Sequence, residues 1–135
     1  MNGRYPIALH ILTLLAKTDQ ELLSSEYIAG SININPALAR KEISNLRKHS
    51  FIESKEGKGG GYSLAMPASQ ITLADIYRAV KDSHVLGVAK NTPNPDCPIG
   101  KQINQNIEQL YNELDTAFIV KLETKTLEDF SNQFN

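Results

Sequence analysis

The chain has 135 residues, a formal charge of −1, and is 41% hydrophobic and 21% charged. That suits one domain with a short extension, and it excludes a disordered, collagen-like or proline-rich chain. No apolar run reaches the roughly 18–20 residues of a membrane span, and the opening Met1-Asn2-Gly3-Arg4 has no secretory pattern, so a cytoplasmic protein without membrane contact is expected.

Charge is uneven along the chain. Residues 1–66 hold 8 Lys and Arg against 6 Asp and Glu, whereas residues 67–135 hold 6 against 9. From Arg40 to Lys58, six basic residues stand against three acidic ones. A basic segment on a nearly neutral chain points to an anionic partner at one end of the molecule. The single cysteine, Cys97, excludes an internal disulfide and any site that needs several thiolates from one chain.

Residues 5–17 place Ile7, Ile11, Leu14 and Leu15 at helical spacing, which predicts a largely buried first helix. Thr18-Asp19-Gln20-Glu21 is a polar connection. Ser24 or Ser25 can N-cap a short second helix that ends near Gly30, with Ser31 to Ile34 as the turn. Asn35 followed by Pro36 is a strong start signal for a third helix running to about His49. Its stripe Ala39, Ile43 and Leu46 faces a core, and its other face carries Ala37, Arg40, Lys41, Ser44 and Lys48. Two short helices around a tight turn form a helix-turn-helix.

The period then changes. Residues 51–55 and 62–65 read as strands, with Glu56-Gly57-Lys58-Gly59-Gly60-Gly61 as a flexible tip. A glycine-rich hairpin behind a helix-turn-helix outlines a winged helix. Thr72 and Asp75 form a capping box for a fourth helix, with Ile71 and Ile76 as its hydrophobic staple. Residues 82–98 contain Pro93, Pro95 and Pro98 and read as a loop. A long helix follows, with Ile103, Ile107, Leu110, Leu114 and Ala117 along one narrow stripe that calls for a partner helix. Thr126 and Asp129 can cap a last short helix.

The expected fold is therefore mainly α: a winged helix-turn-helix over residues 1–82, a sensor loop over 83–98, and a dimerisation helix with a short terminal helix over 99–135. A charged surface on the third helix can be no more than a solvated face. The hairpin behind it and the short helix before it instead favour double-stranded DNA as partner. Arg40 and Lys41 would reach base edges or phosphates, Asn35 and Ser44 would hydrogen-bond, and Ala37 would let the backbone approach. Lys48, Lys55 and Lys58 suit phosphates, as do the helix N-termini at Ser24, Ser25 and Asn35-Pro36. Arg4, with Gly59 and Gly60 of the wing, completes the candidate set.

Other chemistry fits less well. The glycine-rich tip lacks the Gly-Lys-Ser/Thr ending of a phosphate-binding loop and leads into a strand, so it reads as a wing. His10 suits a core position, His49 a helix end, and His84 is the histidine that could join Cys97; their spacing gives no metal site. No metal, cofactor or catalytic residue is expected, and no enzyme. Cys97 stands at the N-cap of the long helix, a position where a helix dipole activates a thiol, and is a candidate redox or electrophile sensor; an inert cysteine packed between subunits is the competing reading. An adaptor of winged-helix form, binding a protein or a small molecule in place of DNA, is the alternative function.

Several segments together resemble one family. They are Arg4-Tyr5, the run Ser24 to Ala29, Asn35-Pro36, Leu46-Arg47-Lys48, the wing from Gly57 to Ala65, and the helix from Ile71 to Val80. The sequence is similar in these to the Rrf2 family of bacterial winged-helix transcriptional regulators, the IscR, NsrR and CymR type, over the whole chain. The resemblance implies a homodimer joined through the long helix and binding a partly palindromic operator, usually as a repressor. Iron–sulfur members carry three cysteines in the loop before that helix. Here the loop holds Cys97 alone, which places the chain in a branch without a cluster.

Overall fold

In the computed structural model the described residues are 3–18, 21–82 and 84–135. Met1 and Asn2, the Asp19-Gln20 part of the polar connection, and Ser83 of the loop lie outside them. Helix α1 (Arg4–Lys17) buries Ala8, Ile11, Leu12 and Leu15, the wide apolar arc its sequence predicts. Helix α2 (Ser25–Ile32) and helix α3 (Pro36–Lys48) pack on it and on each other. Helix α2 runs past Gly30 and takes in Ser31 and Ile32. It stops at Asn33, whose φ of 64° is the left-handed conformation that closes a helix.

The hairpin pairs β1 (Ile52–Lys55) with β2 (Gly61–Leu64) antiparallel, Ile52 opposite Leu64 and Lys55 opposite Gly61. Phe51 stays outside the strand because its N–H bonds the carbonyl of Leu46 and so completes the end of α3. A bridge between Leu23 and Tyr62, with N–H···O distances of 3.1 and 2.8 Å, clamps the hairpin to the entry of α2. Helix α4 (Leu73–Val80) begins with the Thr72–Asp75 capping box, and the Ile71 and Ile76 side chains are fully buried.

The described residues between 81 and 97 are irregular and lead to α5 (Pro98–Glu123), a 26-residue helix about 39 Å long at 1.5 Å per residue. It buries only one residue, Asp115. Ile103, Leu110, Phe118 and Val120 stay exposed along it. The chain then returns. Helix α6 (Leu127–Ser131), opened by the Thr126–Asp129 capping box, packs on α1 and on the 3-10 turn Ala68–Gln70.

That last helix was expected with the dimerising extension; it belongs instead to the winged-helix core. The Leu127 N–H donates to the Ile71 carbonyl at 2.7 Å, and the Leu127 side chain is fully buried. Burial of one leucine is worth about 1.5–3 kcal/mol, enough to hold a five-residue helix that could not form alone.

Candidate nucleic-acid interface

Helix α3 has the segregated faces its sequence predicts. Ala39, Ile43 and Leu46 are buried, and Ala37, Arg40, Lys41, Ser44 and Lys48 are exposed. Two contacts fix its rotation. The Asn45 amide donates to the Ala79 carbonyl at 3.0 Å, and Glu42, buried to 2% exposure, accepts from Arg4. The Arg4 Nε lies 3.1 Å from each Glu42 oxygen. The Arg4 Nε, expected at DNA, is directed to a buried carboxylate and supplies it with a counter-charge.

The helix N-termini are capped as predicted, by one serine of the two. Ser24 accepts the Tyr27 N–H at 3.1 Å, and Asn35 accepts the Ala37 N–H at 2.7 Å, with Pro36 as the first helical residue. Ser25 is buried and its hydroxyl faces Glu26, so its side chain is withdrawn from the surface where a phosphate would lie. Two exposed residues escaped the sequence reading. Tyr27 stands 57% exposed in the first turn of α2. Arg47 follows Arg40 by seven residues, about 20° away around the helix, a spacing that could have flagged it.

At the wing, Gly57 and Gly59 have φ of 91° and 78°, and a Cβ on Gly60 would stand 2.1 Å from the Lys55 carbonyl oxygen. Glycine is thus required sterically, and the tight tip leaves Lys55 and Lys58 exposed.

Arg40, Lys41, Arg47, Lys48, Lys55 and Lys58 are all exposed, and none forms an ion pair among the described residues. Cations of α4 behave differently. Arg78 pairs with Asp75 and Glu123, and Lys81, just beyond the helix, pairs with Asp115. Positive charge is thus left unneutralised on α3 and the hairpin, the elements a winged helix presents to DNA.

Beyond α4, His84 does not meet Cys97. Its Nδ1 lies 2.9 Å from Asp115, its Nε2 lies 3.4 Å from Glu108, and its ring leans on Tyr111. Burial pushes the Asp115 carboxyl up, but the hydrogen bonds and charges of Lys81 and His84 outweigh it and hold it below the usual carboxylate range. Asp115 thereby fastens the start of the loop to the middle of α5. Cys97 caps the other end of the loop, exposed, its Sγ accepting from the Gly100 N–H at 3.4 Å.

A family model described as Rrf2, an iron-dependent transcriptional regulator, matches residues 1–133. The chain belongs to the Rrf2 family. It is 36% identical over 132 residues to YwnA of Bacillus subtilis (strain 168), a candidate HTH-type transcriptional regulator, covering 98% of this chain and 97% of that one. It is 31% identical over 125 residues to the HTH-type transcriptional regulator NsrR of Oceanobacillus iheyensis, covering 93% and 83%. A crystal structure described as a candidate DNA-binding protein superposes with a TM-score of 0.74 at 33% identity, over 95% and 98% of the two chains. CymR of B. subtilis shares the fold, with a TM-score of 0.73 at 24% identity over 100% and 98%. Taken with the exposed cations, this Rrf2 chain is a winged-helix DNA-binding regulator of transcription.

The iron in the family's description does not fit this chain. Cys97 is its one cysteine, and among the described residues no cluster of three His, Cys, Asp or Glu side chains could hold a metal.

Proposed function

We propose that the protein is a homodimeric repressor that places two α3 helices in successive major grooves of one operator. The concentration within residues 40–58 of six exposed cations that form no ion pair among the described residues carries this reading. Arg40 and Arg47 suit base edges, since a guanidinium can grip two acceptors at once. Lys41, Lys48, Lys55 and Lys58 suit phosphates, Ser44 and Asn35 add hydrogen bonds, and Ala37, Gly59 and Gly60 allow close approach. The N-terminus of α2 at Ser24 offers N–H groups to a backbone phosphate.

Dimerisation is supported by α5. Ile103, Leu110, Phe118 and Val120 are 37%, 50%, 42% and 59% exposed on a helix that buries little else. Paired α5 helices would set the spacing of the two reading heads at about one helical turn of DNA. Cys97 supplies the control in this reading. Its exposed sulfur caps α5, so a peroxide that converts the thiol to a sulfenic acid, with loss of water, would enlarge and re-polarise the cap and disturb the first turn of the helix that sets the spacing.

The test is binding to the DNA upstream of the protein's own gene across a salt series. Tight binding with a logarithmic slope of several phosphates, weakened at least tenfold by Arg40→Ala with Lys41→Ala, supports the reading. No preference over random DNA, unchanged by those substitutions, would favour the adaptor. Leu110→Glu should give a monomer in sedimentation, and oxidant should release DNA from the native chain but not from Cys97→Ser.

A further inference from the structure

An open groove of about 470 Å³ lies between α1 and the C-terminal segment, on elements the DNA reading does not use. Pro6, Leu9 and Leu14 of α1 form one wall, and Phe130 and Phe134 form the other. The two phenyl rings stand 5.5 Å apart at 57°, and Phe134 is 49% exposed. The size falls in the range of small-molecule sites, roughly 300–1,000 Å³, and such sites are apolar with few polar groups.

The polar groups of this groove are unequal. Thr13 and Thr18 turn their hydroxyls back to the Leu9 and Leu14 carbonyls of α1. His10, Lys17 and Asn135 remain. Lys17 is the only formally charged side chain of the lining, is exposed, and forms no ion pair among the described residues. No carboxylate side chain lines the groove. An apolar slot with one ammonium at its edge is complementary to an apolar body bearing an anionic head.

We infer that this groove is a binding site for a small organic anion of the aryl-carboxylate type, its ring between Leu9 and the two phenylalanines and its carboxylate at Lys17. The tilted phenyl pair favours an aromatic body, because a third ring can meet one phenyl face-on and the other edge-on. The site is also wired to the reading head. His10, in the groove wall, has its Nε2 3.0 Å from the hydroxyl of Ser31, which lies in α2 of the helix-turn-helix. A ligand that draws on His10 pulls on that contact, so occupancy changes DNA affinity. This last step rests on the DNA-binding reading; the binding site does not.

The experiment is calorimetric titration of the full chain with 1-naphthoate and, as the neutral match, 1-naphthamide. Saturable 1:1 binding of naphthoate is expected, with naphthamide weaker. Lys17→Gln, an exposed change that leaves the core alone, should weaken naphthoate by about two- to fivefold, the range of an exposed ion pair, and leave naphthamide unchanged. Leu9→Trp, which fills the slot, should abolish both, with circular dichroism checking that the variant folds. Absence of saturable binding to the native chain overturns the proposal, as does binding indifferent to both substitutions. A loss of the dimer in Leu9→Trp or Phe134→Ala would assign the groove to a second copy of the chain and likewise overturn it. Naphthoate binding that leaves DNA affinity unchanged in native chain and Ser31→Ala alike would keep the site and refute its coupling.

Discussion

Arg4 in the first turn of α1 and Glu42 on the inner side of α3 form a pair that crosses the domain. The Glu42 side chain is 2% exposed, the Arg4 side chain 34%, and the Nε lies 3.1 Å from both carboxylate oxygens. The reading helix therefore carries a buried charge whose partner comes from another helix, and α3 cannot rotate without breaking it.

Removing Arg4 should expose that dependence. Arg4→Ala leaves the buried carboxylate without this partner and should cost about 1–3 kcal/mol, less than a fully buried pair because the guanidinium is one-third exposed. The salt slope of DNA binding should not change, since Arg4 is not counted among the phosphate contacts. Urea denaturation and a salt series check the two halves separately. Unchanged stability with a shallower slope would return Arg4 to the interface.

Local chemistry was legible in the sequence and long-range chemistry was not. Asn35-Pro36, Thr72 with Asp75, and Thr126 with Asp129 each act within a few residues, and all three open helices where the pattern places them. The stripe of α3 was equally plain. The Arg4–Glu42 pair spans 38 residues, and no periodicity marks a glutamate for burial. His84 looked nearest in chemistry to Cys97, yet Asp115, a residue 31 positions on, holds it. Leu127 reads as part of a trailing extension, because nothing local says that α5 doubles back to deliver it to the core.

Asp115 should give an acid signature. Its carboxyl is held below the usual range in the folded chain, so its contribution is present above the ordinary carboxylate value of about 4 and is lost as pH falls through the depressed value. Asp115→Asn removes that contribution at neutral pH and should flatten the fall of stability on the acid side. Denaturation midpoints at stepped pH decide it. Parallel acid limbs for native and variant chains would show that the carboxylate adds nothing.

Tyr5 should give the opposite signature. Burial pushes its phenol up to about 12, and the hydroxyl donates to the Leu73 carbonyl at 3.1 Å, with the ring edge against Tyr77. A raised value means the folded state holds the proton more firmly. The contribution is therefore full below the ordinary value of about 10 and is lost as pH climbs toward 12. Tyr5→Phe should lose about 1 kcal/mol at neutral pH through the missing hydrogen bond. Its stability should also fall less steeply in alkali. The phenolate absorbance of the native chain minus that of the variant isolates the Tyr5 titration, and a midpoint near 10 would contradict the assigned burial.

The wing can be tested by separating its shape from its charge. At Gly60 a methyl group would stand 2.1 Å from the Lys55 carbonyl oxygen, a backbone atom, so Gly60→Ala must displace the tip and Lys58 with it. Lys58→Ala removes the charge and leaves the backbone alone. If Lys58 meets a phosphate, each variant lowers the logarithmic salt slope by about one, and the double variant lowers it no further. If the tip only braces the fold, Gly60→Ala lowers the melting temperature while both slopes match the native chain. The double variant is the deciding one, because a shape defect that acted elsewhere would add to the lost charge.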